Sequence, residues 1–208
     1  AIQWLTVYDG KLYFSAVVGT NGDELWVYDS TTNTAEMVEN INPGSADAFP
    51  NYLTVYNDKL YFQANDGNNG SELWRYDSAT NNAVMVANIR TGSAGSTPRY
   101  LTVYNDKLYF SATDDTFGTE LWRYDSATNI AERVTDINSG IGSAFPINND
   151  FEVYNGQLYF QATDGSTGYE LWRYDSTTDT AERLTDINPG NGDSIDRWLT
   201  GYDGKLYF

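Results

Sequence analysis

The residues best placed to do chemistry recur in one kind of loop. Asp66, Asn68 and Glu72 stand at the first, third and seventh positions of Asp66-Gly67-Asn68-Asn69-Gly70-Ser71-Glu72. Oxygen-bearing side chains spaced this way around glycine resemble part of a calcium loop, in which the ion takes roughly six to eight hard oxygen ligands. Asp114, Thr116 and Glu120 repeat the pattern, as do Asp164, Ser166 and Glu170. The first copy begins with Val18 instead, and no copy has the bidentate glutamate that closes a full calcium loop. A hairpin turn whose Asp and Gly satisfy local backbone geometry explains the same residues without a metal. Calcium is therefore the one candidate cofactor, and no other is expected.

Other chemistry is excluded by what is missing. The chain has no His and no Cys, so it lacks the usual general base, the commonest zinc ligand, thiolates and disulfides. Ser and Thr have no base to activate them. Carboxylate pairs such as Asp114-Asp115, or Asp150 with Glu152, read as solvated charge among 29 acidic residues rather than as a glycosidase pair. The expectation is a non-enzymatic protein.

Charge narrows the partners. Twelve basic residues against 29 acidic ones give a net charge of -17. Such a surface repels phosphate backbones and anionic lipid, so neither nucleic acid nor membrane insertion is expected. No apolar run approaches the roughly 18 residues of a membrane span. No signal peptide is visible, and a start at Ala1 without Met fits a mature or excised piece.

The elements that carry these residues are repeats. Leu-Tyr-Phe recurs at Leu12, Leu60, Leu108, Leu158 and Leu206, and Glu-Leu-Trp at Glu24, Glu72, Glu120 and Glu170. The period is 48 residues, with one spacing of 50. Units fall at 3–51, 52–99, 100–149 and 150–196, with a partial fifth at 197–208, in a single repeat domain. In the second unit the pattern predicts strands at 53–56, 59–64, 72–76 and 83–86. Asn57-Asp58, the glycine loop and the stretch 77–82 separate them as turns, and connections this short force an antiparallel meander.

Large side chains occupy both faces of Leu60-Tyr61-Phe62 and Leu73-Trp74-Arg75-Tyr76. A sheet with one wet face would alternate apolar with polar. Two sticky faces require a neighbour on either side, which radially stacked blades supply. The predicted fold is all-β, a β-propeller of four-stranded antiparallel blades with about 48 residues per blade. The fourth run of each unit, with Glu36, Glu132 and Glu182, reads as the blade's polar outer edge.

Within that frame Trp26, Trp74, Trp122 and Trp172 read as inter-blade packing rather than sugar platforms. Trp4 and Trp198, near the duplicated ends, are candidates for exposure, as ligand-binding residues or as a seam between chains. Arg90, Arg99 and Arg197 are rare cations in the variable inter-unit loops. They would orient an anionic ligand or only offset neighbouring acids. The near-repeat of 3–14 at 197–208 points to ring closure or to assembly of copies.

The repeat resembles the bacterial ELWxxDGT repeat family. Glu72-Leu73-Trp74-Arg75-Tyr76-Asp77 and its counterparts carry the likeness, with Asp186-Ile187-Asn188-Pro189-Gly190, Leu158-Tyr159-Phe160-Gln161-Ala162, and Asp164-Gly165 with Gly168 before Glu170. The chain departs after the Asp, where Ser30, Ser78, Ser126 and Ser176 replace the family's glycine. A weaker similarity to kelch repeats runs from Trp74 to Asn81, without the double glycine. The resemblance implies a propeller of secreted or surface-attached bacterial proteins with no defined activity. The expected function is a structural or protein-interaction module that self-associates or binds another protein. Multivalent carbohydrate binding is the alternative.

Overall fold

The computed structural model describes residues 2–145, 150–194 and 198–208. They form four four-stranded antiparallel sheets and one two-stranded sheet, each with its strands in chain order from one edge to the other. The first sheet comprises β1 (Gln3–Tyr8), β2 (Lys11–Val17), β3 (Asp23–Asp29) and β4 (Thr34–Glu39). The second comprises β5 (Asn51–Tyr56), β6 (Lys59–Asn65), β7 (Ser71–Asp77) and β8 (Asn82–Ala87). The third comprises β9 (Arg99–Tyr104), β10 (Lys107–Asp114), β11 (Gly118–Asp125) and β12 (Ile130–Arg133). The fourth comprises β13 (Phe151–Tyr154), β14 (Gln157–Ala162), β15 (Glu170–Asp175) and β16 (Thr180–Arg183). The two-stranded sheet pairs β17 (Thr200–Tyr202) with β18 (Lys205–Tyr207). The chain divides into two compact units, Ala1–Leu101 and Thr102–Phe208, with the boundary inside β9.

The strands run one or two residues beyond the sequence pattern, and β5 shows why. A bulge between Asn51 and Thr54 lets Asn51 pair with Gln63, although no apolar residue marks that position. The same bulge lies between Gln3 and Thr6 in β1. Trp4 and Tyr52, within these bulges, and Tyr100 in β9 have φ of 55°, 59° and 60°, a region bulky residues seldom enter. The first hairpin of each sheet closes in two residues with positive φ, for instance Asn57 at 45° and Asp58 at 55°, as a type I′ turn demands.

The second strand of each blade carries the core. Leu60, Tyr61, Phe62, Gln63 and Ala64 are all buried, so β6 is covered on both faces. Fully burying a Leu or Phe side chain contributes about 1.5–3 kcal/mol, which makes this strand the densest source of stability in the blade. The fourth strands sit at sheet edges and range from half-buried in β8 to largely exposed in β16. In the second unit β17 lies beside β13. Leu199 packs with Tyr159 and Leu171, and Gly201 N–H donates to Glu152 Oε1 at 2.9 Å.

Glycine is required where the β6–β7 hairpin meets the following loop. Gly70 has φ +68°, and a Cβ there would lie 2.4 Å from Gly95 N. Gly70→Ala should therefore lower stability by more than about 1 kcal/mol, because both the backbone conformation and the space forbid it. Denaturant unfolding midpoints of the two proteins at equal m-value check this.

Candidate functional site

Two interactions recur where blades and loops meet, and both begin with residues the repeat motif supplies. The first is a tyrosine hydroxyl at the end of β1 and of β9. Tyr8 is buried, donates from Oη to Asp58 O at 2.9 Å, and accepts from Ser78 N at 3.3 Å. Its hydroxyl also lies 3.1 Å from Ser78 Oγ. In the second unit Tyr104 donates to Gly156 O at 2.9 Å and takes Ser176 N–H at 3.3 Å. One hydroxyl thus ties a turn and a strand end of the next blade. Ser78 and Ser176 occupy the position where the resembled family has glycine, and the serine hydroxyl joins the contact.

The second is a buried glutamate. Glu24, Glu72, Glu120 and Glu170, from the Glu-Leu-Trp motif, are all fully buried. Glu72 accepts N–H bonds from Ile89 at 3.0 Å, Arg90 at 3.1 Å and Ser96 at 2.9 Å, and Ser96 Oγ–H at 2.6 Å. Glu24 takes Ile41 and Asn42 N–H, and Glu120 takes Ile137 and Asn138 N–H with Thr135 Oγ–H. Glu170 Oε2 accepts from Thr185 Oγ1 and Ile187 N. Each carboxylate therefore anchors the loop that leads to the next blade, because a buried charge needs donors there.

This geometry separates the residues of the expected calcium loop. Asp66 Oδ1 accepts Asn68 N–H at 2.9 Å and Asn69 N–H at 2.8 Å, while Asp66 Oδ2 takes Asn69 Nδ2–H at 2.7 Å. Asp114 and Asp164 cap their own turns through Thr116 and Phe117, and through Ser166 and Thr167. Glu72, Glu120 and Glu170 serve the inter-unit loops instead. The calcium ligand set Asp66, Asn68 and Glu72 is thus not gathered, because one carboxylate closes a turn while the other is enclosed by backbone donors. Among the described residues no group of three or more His, Cys, Asp or Glu could hold a metal.

The other predicted residues divide as well. Trp4 is exposed, and its ring centroid lies 4.5 Å from that of Tyr52, which lies 5.4 Å from that of Tyr100. Arg99 precedes Tyr100 in β9, and its charge acts on Tyr52, whose hydroxyl is pushed up to about 12 mainly by burial. Trp4 and Arg99 therefore border one aromatic row, in which Tyr52 and Tyr100 were not singled out by sequence. Their common place two residues before the Thr-Val-Tyr of each first strand was the available signal. Trp198 is exposed on the last unit, and Arg90 is half-buried in the loop held by Glu72. Arg197 lies outside the described residues. Trp26, Trp74 and Trp122 are half-buried and Trp172 is buried, within their strands.

Against this geometry, no described protein family matches the chain, and no curated protein sequence does. Solved structures do. A puromycin hydrolase matches at 15% identity and TM-score 0.60, over 99% of this chain and 32% of that one. TolB from Acinetobacter baumannii matches at 17% identity and TM-score 0.53, over 85% of this chain and 41% of that one. A putative TolB from Agrobacterium tumefaciens matches at 14% identity and TM-score 0.52, over 88% of this chain and 64% of that one. At such identities the likeness shows the fold: the protein is an all-β propeller of four-stranded antiparallel blades. The chain spans about a third of that hydrolase and about two fifths of the first TolB.

The buried glutamates set the pH response. Burial raises the Glu24 and Glu120 carboxyls to about 7, against the pull of their N–H donors, with Asp23 and Asp47, and Asp136, adding to the rise. Burial also raises Glu72. Between the unfolded value near 4.5 and about 7 the folded protein holds protons that the unfolded chain has released. Stability from these groups is complete below that window and falls as pH rises through it. Asp29 and Asp164 sit lowered to about 2, so their opposing loss begins only in stronger acid. Thermal unfolding should give a higher Tm at pH 5 than at pH 8, and Glu72→Gln and Glu120→Gln should flatten the slope.

Proposed function

We propose that this chain is a non-catalytic propeller that acts by protein association, with a second copy of itself as one partner. The observation that carries the reading is selective exposure of motif residues. Leu5 is 59% exposed, whereas its counterparts Leu53 and Leu101 are 8% and 7% exposed. Tyr202 is 71% exposed, whereas Tyr8, Tyr56 and Tyr104 are 5% or less. Tyr207 is exposed as well, whereas its counterparts Tyr13, Tyr61, Tyr109 and Tyr159 are buried. These residues are chemically suited to an inter-blade interface, and large exposed apolar patches of this kind mark association surfaces. Tyr8 is covered by the blade that follows it, through Asp58 O and Ser78 N, and Leu53 lies against Thr6 of the blade before it. The first blade of a second copy would therefore cover Tyr202, and its last blade would cover Leu5. Such unlike faces favour head-to-tail contact.

Sedimentation of the 208-residue chain across a concentration series tests this. Association should appear at micromolar to millimolar protein and weaken with Leu5→Lys or Tyr202→Ser, while the unfolding midpoint stays nearly unchanged. A single-chain mass throughout would overturn it.

A second reading, carbohydrate binding, is favoured by the exposed indoles of Trp4 and Trp198 and the row that Trp4 begins. Oligosaccharide binding lost in Trp4→Ala but kept in Leu5→Lys would select it. Placement outside the cytoplasm of a bacterium rests on the motif resemblance to the ELWxxDGT repeat, and so does the assignment to that repeat family.

A further inference from the structure

The repeats differ at one interior position in a way that leaves a shaped space. The third strand carries Arg75, Arg123 and Arg173 at equivalent positions, but Val27 in the first blade. In the second unit Arg123 shows what that arginine does. Its Nε donates to Glu132 Oε1 at 2.8 Å, and its Nη1 donates to Asp179 Oδ1 at 2.9 Å and Tyr174 Oη at 3.3 Å. Tyr109 completes the surroundings, its ring 5.5 Å from that of Tyr174. Burial alone would lower the Arg123 pKa, yet Glu132, Tyr109 and Asp179 outweigh it and hold the guanidinium above its ordinary range.

The first unit keeps that surrounding and lacks the cation. Glu36 pairs across strands with Val27, as Glu132 does with Arg123. Tyr13, Tyr76 and Asn81 stand where Tyr109, Tyr174 and Asp179 stand. Tyr76 Oη donates to Asn81 Oδ1 at 2.8 Å, as Tyr174 does to Asp179. The rings of Tyr13 and Tyr76 are 5.5 Å apart, matching their counterparts. All four of these residues, with Val27, line a cavity of about 400 Å³. That volume lies within the range of small-molecule pockets, roughly 300–1,000 Å³.

The remaining charges at this cavity are Asp9 and Lys11. Lys11 is engaged by Asp29 at 3.2 Å, as Lys107 is by Asp125 in the blade that also holds Arg123. The lysine therefore does not take the place of the guanidinium. A planar cation with several N–H donors fits a carboxylate and a tyrosine pair better than a compact ammonium does. Asn81 supplies one negative charge fewer than Asp179, so the pocket is the weaker of the two.

We propose that the cavity bounded by Val27, Glu36, Tyr13, Tyr76 and Asn81 binds an alkylguanidinium group. The cation enters where the repeat's own arginine side chain is missing, with its donors on Glu36, Tyr76 Oη and Asn81 Oδ1. The proposal is independent of the association surface on Leu5 and Tyr202.

The probes are ethylguanidinium, ethylammonium and an arginine blocked at both ends, titrated calorimetrically into the 208-residue chain. Ethylguanidinium should bind saturably with a dissociation constant on the order of 1 mM, equivalent to about 4 kcal/mol. Ethylammonium should bind at least about tenfold more weakly, given one charge without the planar fork. Glu36→Gln alters an exposed residue, so the chain should fold while affinity drops about tenfold, as expected when a charged acceptor is lost. Val27→Arg should fill the site, abolish binding and raise Tm, and that rise should shrink in Val27→Arg/Glu36→Gln. Blocked arginine binding as well as ethylguanidinium would identify an arginine side chain of a partner as the source. Its exclusion would identify a small free cation. Absence of saturable heat with ethylguanidinium, or binding unchanged in Glu36→Gln, would overturn the proposal.

Discussion

Burial of the second strand on both faces is the constraint from which the rest follows. Leu60, Tyr61, Phe62, Gln63 and Ala64 alternate sides of β6, yet all are enclosed. A single sheet cannot do this, so every blade must be covered by a neighbour, and the repeat becomes a propeller rather than a sandwich of independent hairpins. The energy is hydrophobic and undirected. Polar groups at the margins set the register between neighbours: the Tyr8 and Tyr104 hydroxyls each bind a carbonyl and an amide of the next blade.

The loops between blades are organised by charge taken out of water. A fully buried carboxylate such as that of Glu72 is tolerable only if donors surround it, and the following loop supplies them from Ile89, Arg90 and Ser96. Local carboxylates do a different task. Asp66, Asp114 and Asp164 hold the N–H groups of their own turns and stay at or near the surface. Burial raises the carboxyls of Glu24, Glu72 and Glu120, which destabilise the fold as pH rises, whereas the turn hydrogen bonds hold Asp66 and Asp164 low, so their contribution is lost only in acid.

Repetition also makes departures meaningful. Arg75 faces Val84 across its strand pair where Arg123 and Arg173 face Glu132 and Glu182, and Arg75 Nε is buried without a hydrogen-bond partner. Val27 has the reverse defect, a glutamate without its arginine. The frame tolerates either loss because the second strand and the tyrosine contacts hold each blade in place. Individual interior positions therefore differ between blades without loss of the fold, and Leu5 and Tyr202 are exposed where Leu53, Leu101, Tyr8 and Tyr104 are buried.

By itself the sequence determined the elements and their order. The 48-residue period, the Asn57-Asp58 and glycine turns, and large residues on both faces of Leu60-Tyr61-Phe62 specify four-stranded blades, because these signals act over a few residues. The exposure of Trp4 and Trp198 and the polarity of the fourth strands were legible for the same reason. Only the tertiary structure decided what the polar side chains do. Asp66 and Glu72 lie six positions apart and look like one ligand set, yet one closes its own turn and the other holds a loop up to 24 residues on. The row of Trp4, Tyr52 and Tyr100, and the space beside Val27, join residues from successive blades. Side-chain contacts at such separations depend on how blades pack, and a local pattern carries no information about the donors that packing brings.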